Sequence, residues 1–151
     1  MILPDVNLLV HAYNTQFPQH ENAKIWWEDK LGGTTGVALA WVTILGFIRV
    51  ITHPRILRNP FTVQEALIVV EEWLALPHFV LVQPSSQHFA VLQSLLLKLG
   101  TAGNLTSDAH LAALAIERGL VLHSTDVDFG RFEGLKWVNP LREKRQGKLG
   151  K

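Results

Sequence analysis

A chain of 151 residues with a net charge of +1, 48% hydrophobic and only 18% charged, fits one folded domain, and its composition excludes disorder over most of the length. It contains no cysteine, which removes disulfide scaffolds, thiolate zinc sites and cysteine nucleophiles together. No apolar run reaches the roughly 18 residues that cross a bilayer. Met1 leads almost at once to Pro4 and Asp5 instead of to a charged and then apolar leader, so a cytoplasmic protein with no membrane partner is expected.

Short apolar runs alternate with longer segments of helical period, the pattern of an α/β domain with a mostly parallel sheet. Ile2-Leu3 opens a first strand that ends at Pro4-Asp5. Asn7 to Tyr13 reads as a short helix, and a second runs from Pro18 to about Leu31, stopped by Gly32-Gly33. Thr35 to Leu39 is a short strand. Thr43 to about Thr52 is a helix closed by His53-Pro54, since proline disfavours helix in the residue before it. Thr62-Val63-Gln64-Glu65 is a capping box opening a helix to about Leu76.

Phe79 to Val82 is the third strand, and Ser86 to Leu99 is helical with Gly100 past its end. Thr106 or Ser107 is expected to cap a helix reaching Arg118, with Gly119 as its stop. Leu120 to His123 is the fourth strand, and Lys136 to Val138 a short edge strand. The domain is expected to span residues 1–141. Residues 142–151 hold Arg142, Lys144, Arg145, Lys148 and Lys151 against Glu143, a basic, flexible tail. Arg49, Arg55 and Arg58 form a second basic segment.

In open α/β sheets ligands bind beyond the carboxyl ends of the strands. Asp5 follows the first strand, Asp126 follows the fourth, and Asp108 lies in the first turn of the helix preceding that fourth strand. Asp128 stands two residues past Asp126. Carboxylates from distant parts of the chain thus have positions that converge on one edge, and hard divalent cations take such oxygen ligands. Each also has a plainer reading: Asp5 as a helix cap, Asp108 as a partner of its helix dipole, Asp126 as the cap of a turn before Phe129. The group outweighs the single readings, because Thr106 or Ser107 would already cap the Asp108 helix. Asp5 also lies against an apolar stretch where an unpaired charge is expensive.

None of the seven histidines forms a helical i, i+4 pair, and His110 lies on a different helix face from Asp108, so all are expected to be surface or hydrogen-bonded residues. No G-x-S-x-G elbow, phosphate-cradling loop or dinucleotide fingerprint occurs.

The segment Asp5-Val6-Asn7-Leu8-Leu9 resembles the start of PIN-domain nucleases. Asn104 to Ala115, around Thr106-Ser107-Asp108-Ala109-His110, resembles the third acidic motif of VapC-like toxins. Ser124-Thr125-Asp126-Val127-Asp128-Phe129, with Phe132 and Leu135 to Pro140 behind it, is similar to the fourth motif and closing segment. The resemblance runs from residue 1 to 141. It implies a three-layer α/β/α PIN fold and a Mg²⁺- or Mn²⁺-dependent endoribonuclease, with Asp5, Asp108 and Asp126 as metal ligands and Asp128 as a further catalytic acid. It also implies an RNA substrate, with Arg49 and Arg55 as weak phosphate contacts, a VapB-like antitoxin that blocks the site, and a homodimer.

One departure stands out. Many PIN nucleases carry a glutamate three residues before an arginine in the helix after the second strand, and Gly46 occupies that place here. No acid occurs between Asp29 and Glu65, which puts a second cation in doubt. A catalytically silent PIN fold that binds RNA or protein is the alternative. A haloacid dehalogenase-like phosphohydrolase would want an aspartate at residue 7, where Asn7 stands. Trp26, Trp27 and Trp73 offer apolar surface to a dimer or, more simply, to the core.

Overall fold

A computed structural model of the chain describes residues 1–142. The expected basic tail therefore lies, beyond Arg142, outside the described residues. Five strands form one parallel sheet in the order β3-β2-β1-β4-β5: β1 (Ile2–Pro4), β2 (Val37–Ala40), β3 (Phe79–Val82), β4 (Val121–His123) and β5 (Trp137–Val138). The helices are α1 (Val6–Tyr13), α2 (His20–Gly32), α3 (Trp41–Ile51), α4 (Val63–Ala75), α5 (His88–Leu99) and α6 (Thr106–Arg118). Among the described residues no helix is long and apolar enough to cross a membrane.

The strands read as continuous apolar runs because both faces of the sheet are covered. Successive side chains of a strand point to opposite faces, so Ile2, Val37 and Leu39 join one core while Leu3, Ala38 and Ala40 join the other. The first core packs against α1 to α4 and the second against α5, α6, Phe129 and Phe132, giving the three layers α/β/α. Trp27 and Trp73 are both 1% exposed and belong to the core, while Trp26 is partly buried and packs against it. The Trp27 and Trp73 indole N–H groups both donate to Tyr13 Oη, at 3.2 and 3.0 Å, which satisfies two polar groups that burial would otherwise penalise.

The Thr62 capping box is present, with Glu65 N–H donating to Thr62 Oγ1 and Thr62 N–H to Glu65 Oε1. Gly100 and Gly119 end α5 and α6 at φ of 76° and 66°, the left-handed conformation that suits glycine. Two expectations are corrected. Neither Thr106 nor Ser107 caps α6: a 3₁₀ turn over Gly103–Leu105 leads straight into it, and Thr106 Oγ1 donates back to Gly103 O at 2.8 Å. α3 begins at Trp41, directly after β2, two residues ahead of the expected start.

Candidate active site

The register of the central strands places the first acid. β1 and β4 run parallel with Ile2 opposite Val121 and Pro4 opposite His123, and the ladder continues one step further as Asp5 N–H donates to His123 O at 2.9 Å. Asp5 therefore emerges from the carboxyl end of β1 beside Ser124, the residue that leaves β4. It is 7% exposed. Its Oδ1 accepts the Val6 amide at 2.8 Å, which caps α1, and its Oδ2 accepts the Ser124 hydroxyl proton at 2.8 Å. The capping reading and the site reading of Asp5 hold together: one oxygen serves the helix, the other faces the cluster.

Ser124 is fully buried and spends both of its hydrogen-bonding capacities on the acids. While donating to Asp5, its Oγ accepts the Asp126 amide at 3.0 Å. Asp126 in turn accepts the Asp128 amide at 2.9 Å and caps the 3₁₀ turn Val127–Arg131. Asp5, Ser124, Asp126 and Asp128 thus form one hydrogen-bonded path along the sheet edge. The sequence signal for Ser124 is a serine directly after a buried strand and two residues before an acid.

Asp108 enters from the first turn of α6 and is joined to the others by field. Burial first, then the charges of Asp5, Asp126 and Asp128, push its carboxyl up to about 6. Burial also raises Asp5, with Asp126 adding to the rise, although the bonds from Ser124 and Val6 hold it back. Like charges gathered where water is scarce behave in this way. Asp128 lies on the rim, where its half-exposed carboxylate stands 4.0 Å from Arg131 Nη1, a spacing that contributes little. Arg49 and Arg55 are exposed, and neither enters an ion pair among the described residues.

Gly46, on α3, faces the same corner. A Cβ added there would lie 2.9 Å from Val6 Cγ2, next to Asp5. The helix on which the resemblance leads one to expect a glutamate therefore packs a glycine against Val6, the residue after Asp5.

The histidines do not join the cluster. His88 bridges α5 to α6, with Nδ1 2.8 Å from Glu117 Oε2 and Nε2 2.9 Å from His110 Nδ1. Glu117 also accepts the Ser85 amide at 2.7 Å. Burial works against the Glu117 charge, but these bonds outweigh it and hold the carboxyl low. Two residues on a helix subtend about 200°, so His110 and this network lie on the face of α6 opposite Asp108.

The PIN domain family matches residues 2–135. The chain belongs to the PIN-domain family. Within that family its near relatives are VapC proteins. It is 45% identical over 143 residues to Ribonuclease VapC33 of Mycobacterium tuberculosis, covering 95% of this chain and all of the relative. It is 41% identical over 140 residues to Ribonuclease VapC37 of the same organism, covering 93% and 97% of the two chains.

The PIN fold recurs in solved structures at much lower identity. VapC20 of M. tuberculosis, described as a sarcin-ricin loop cleaving toxin, superimposes with a TM-score of 0.65 at 13% identity over 86% of this chain and 93% of that one. The structure of VapBC2 from Rickettsia felis bound to a promoter DNA fragment gives a TM-score of 0.62 at 18% identity, covering 92% and 98%.

Proposed function

We propose that this PIN-domain chain is a Mg²⁺- or Mn²⁺-dependent endoribonuclease and the toxin of a type II toxin–antitoxin pair. The observation that carries the reading is the joining of Asp5 to Asp126 through one buried hydroxyl, with Asp108 raised to about 6 by its burial and by the field of the other acids. The donor set fits a hard divalent cation: it is all oxygen, and its mutual repulsion is what such a cation relieves. Among the described residues no three His, Asp or Glu side chains stand close enough together to hold a metal ion as they are placed, so the fit rests on donor chemistry alone. Asp5, Asp108 and Asp126 are the residues that would hold the ion.

When bound, the cation supplies a water of lowered pKa and neutralises charge developing on the phosphate. The protein's own contribution is positioning. Ser124 and the Val6 amide fix both oxygens of Asp5, leaving it one orientation, and Ser124 ties the Asp126 backbone to it. Asp128 on the rim orients water or substrate at the entrance. Exposed Arg49 and Arg55 would contact RNA phosphates, which adds affinity without reading sequence. A VapB-like antitoxin would block this edge, as an arginine fork suits paired carboxylate oxygens. Homodimerisation belongs to the same reading, with exposed Leu45 on α3 and Val63 and Leu67 on α4 as apolar surface available to it.

Calorimetric titration with Mn²⁺ and RNA cleavage with Mg²⁺, Mn²⁺ or EDTA test the proposal. Wild type should bind and cut, and Asp5→Asn and Asp108→Asn should do neither well. Unchanged Mn²⁺ affinity in both variants removes the metal assignment. RNA binding without cleavage in either ion selects the silent PIN fold, the reading that Gly46 favours.

A further inference from the structure

Thr43 is 2% exposed, and its Oγ1 is buried with no hydrogen-bond partner. A buried hydroxyl nearly always finds a partner, and leaving one unmade is costly. The usual local escape for a helical threonine is a bond back to the carbonyl of the preceding turn; Thr52, at the other end of α3, makes it with Ile48 O at 2.7 Å. Thr43 does not.

Its place in the fold says what the hydroxyl is for. Ile2 pairs with Val37 in the parallel β1–β2 ladder, and carrying that register forward sets Asp5 level with Ala40, the last residue of β2. α3 starts at the next residue, and Thr43 lies in its first turn. Gly46 follows three residues later on the same helix face, and that face meets Val6 beside Asp5 at 2.9 Å from a built Cβ. The start of α3 thus lies level with Asp5 and carries Gly46, which offers no donor, and, one turn earlier, a buried hydroxyl with no hydrogen-bond partner. No acidic residue lies between Asp29 and Glu65 to do the work instead.

We infer that the Thr43 hydroxyl is the α3 oxygen donor to the divalent cation held by Asp5, Asp108 and Asp126, bonding the ion or one of its waters. Serine and threonine hydroxyls serve magnesium in this way in phosphate-binding loops. A neutral donor adds a ligand without adding a fifth negative charge to a cluster that already raises Asp108. The inference rests on the metal-dependent reading above.

The test compares Thr43→Val, which keeps the shape and removes the hydroxyl, with Thr43→Ser, which keeps it. Apo melting temperature and Mn²⁺ affinity are read for each and for wild type. Without metal, Thr43→Val should melt at or above wild type, because an unpartnered polar group has gone. It should bind Mn²⁺ about tenfold more weakly, on the scale seen for residues supporting a metal site, while Thr43→Ser stays near wild type. A Thr43→Val protein that binds Mn²⁺ like wild type overturns the inference and leaves the metal reading standing. So does one that melts well below wild type when Thr43→Ser does not, since that marks a hydroxyl needed by the fold. Wild type that binds neither Mn²⁺ nor Mg²⁺ brings down both. Should Thr43→Val fail to fold, Thr43→Ala against Thr43→Ser decides by the same affinity comparison.

Discussion

Ser124 gives its hydroxyl proton to Asp5 across 119 residues of sequence, at 2.8 Å and out of contact with solvent. The same oxygen receives the Asp126 amide, so one side chain sets the separation of two acids from different strands. Ser124→Ala should leave the fold intact, cost about 1–3 kcal/mol of stability and lower Mn²⁺ affinity or RNA cleavage by about 10- to 100-fold. Ordinary activity in a folded Ser124→Ala protein would show that Asp5 needs no such support.

The raised Asp108 carboxyl predicts an inverted pH dependence in the metal-free protein. Its ordinary value is 3.8 and its folded value about 6, so the folded state holds the proton more tightly. The stability this gives is present in full below about 4 and is lost as pH rises towards 6. It amounts to at most about 3 kcal/mol, and about 1 to 2 after solvent screening of a partly exposed group. His123 acts in the opposite sense. Burial, then Lys30 and the N-terminal ammonium, push it down from 6.5 to about 4, so its contribution is lost as pH falls through that window. Subtracting Asp108→Asn removes the His123 part. Denaturant unfolding in EDTA should show the wild-type advantage shrinking between pH 4 and 6; a flat difference refutes the Asp108 shift.

At Gly46 the structure weighs a helix gain against an overlap. Any side chain recovers up to about 1 kcal/mol of helix propensity, but its Cβ meets the stiff, branched Val6 at 2.9 Å, an overpacking worth about 1–3 kcal/mol. Gly46→Ala should therefore lose about 1 kcal/mol net, and Val6→Ala in the same chain should recover it, as a double-mutant cycle by chemical unfolding will show. The better background for placing a carboxylate at this corner is accordingly Val6→Ala with Gly46→Glu. If Gly46→Ala alone stabilises the protein, Val6 yields more easily than its branching suggests.

The His88–Glu117 contact is a stability element remote from the acids. The Glu117 side chain is 3% exposed, and His88→Ala would leave its charge without its imidazole partner, a loss of about 2–3 kcal/mol. Mn²⁺ affinity measured well below the melting point should be unchanged. A variant with normal stability but weakened Mn²⁺ binding would tie this network to the site after all.

The strands and long helices were legible because burial on both sheet faces and helical period both write themselves locally into sequence, as at Val37–Ala40 and Val63–Ala75. The entry to α6 departs from what its sequence suggests: Thr106 and Ser107 look like caps, but the 3₁₀ turn before them leads straight into the helix. Of the candidate site, Asp5 and Asp126 are legible as strand-end residues and Asp108 as a residue of a helix's first turn, while the place of Ser124 is not legible. A hydroxyl acquires meaning only from what stands opposite it, and here that is set by strand register, not by spacing. The His88–His110–Glu117 chain stayed hidden for the same reason, being assembled from two helices.

The strand order has a consequence for how the site comes into being. β1 is the central strand, and it is flanked by β2, nearby in sequence, and by β4, about 120 residues on. A ribosome making this chain therefore releases Asp5 first and its partners Ser124 and Asp126 last. Pairings of such long sequence separation are slow to form and come late. Until β4 has left the ribosome and slotted in beside β1, the N-terminal carboxylate has neither its hydroxyl partner nor its neighbouring acids. On the reading proposed above, the acidic centre is incomplete until β4 stands beside β1.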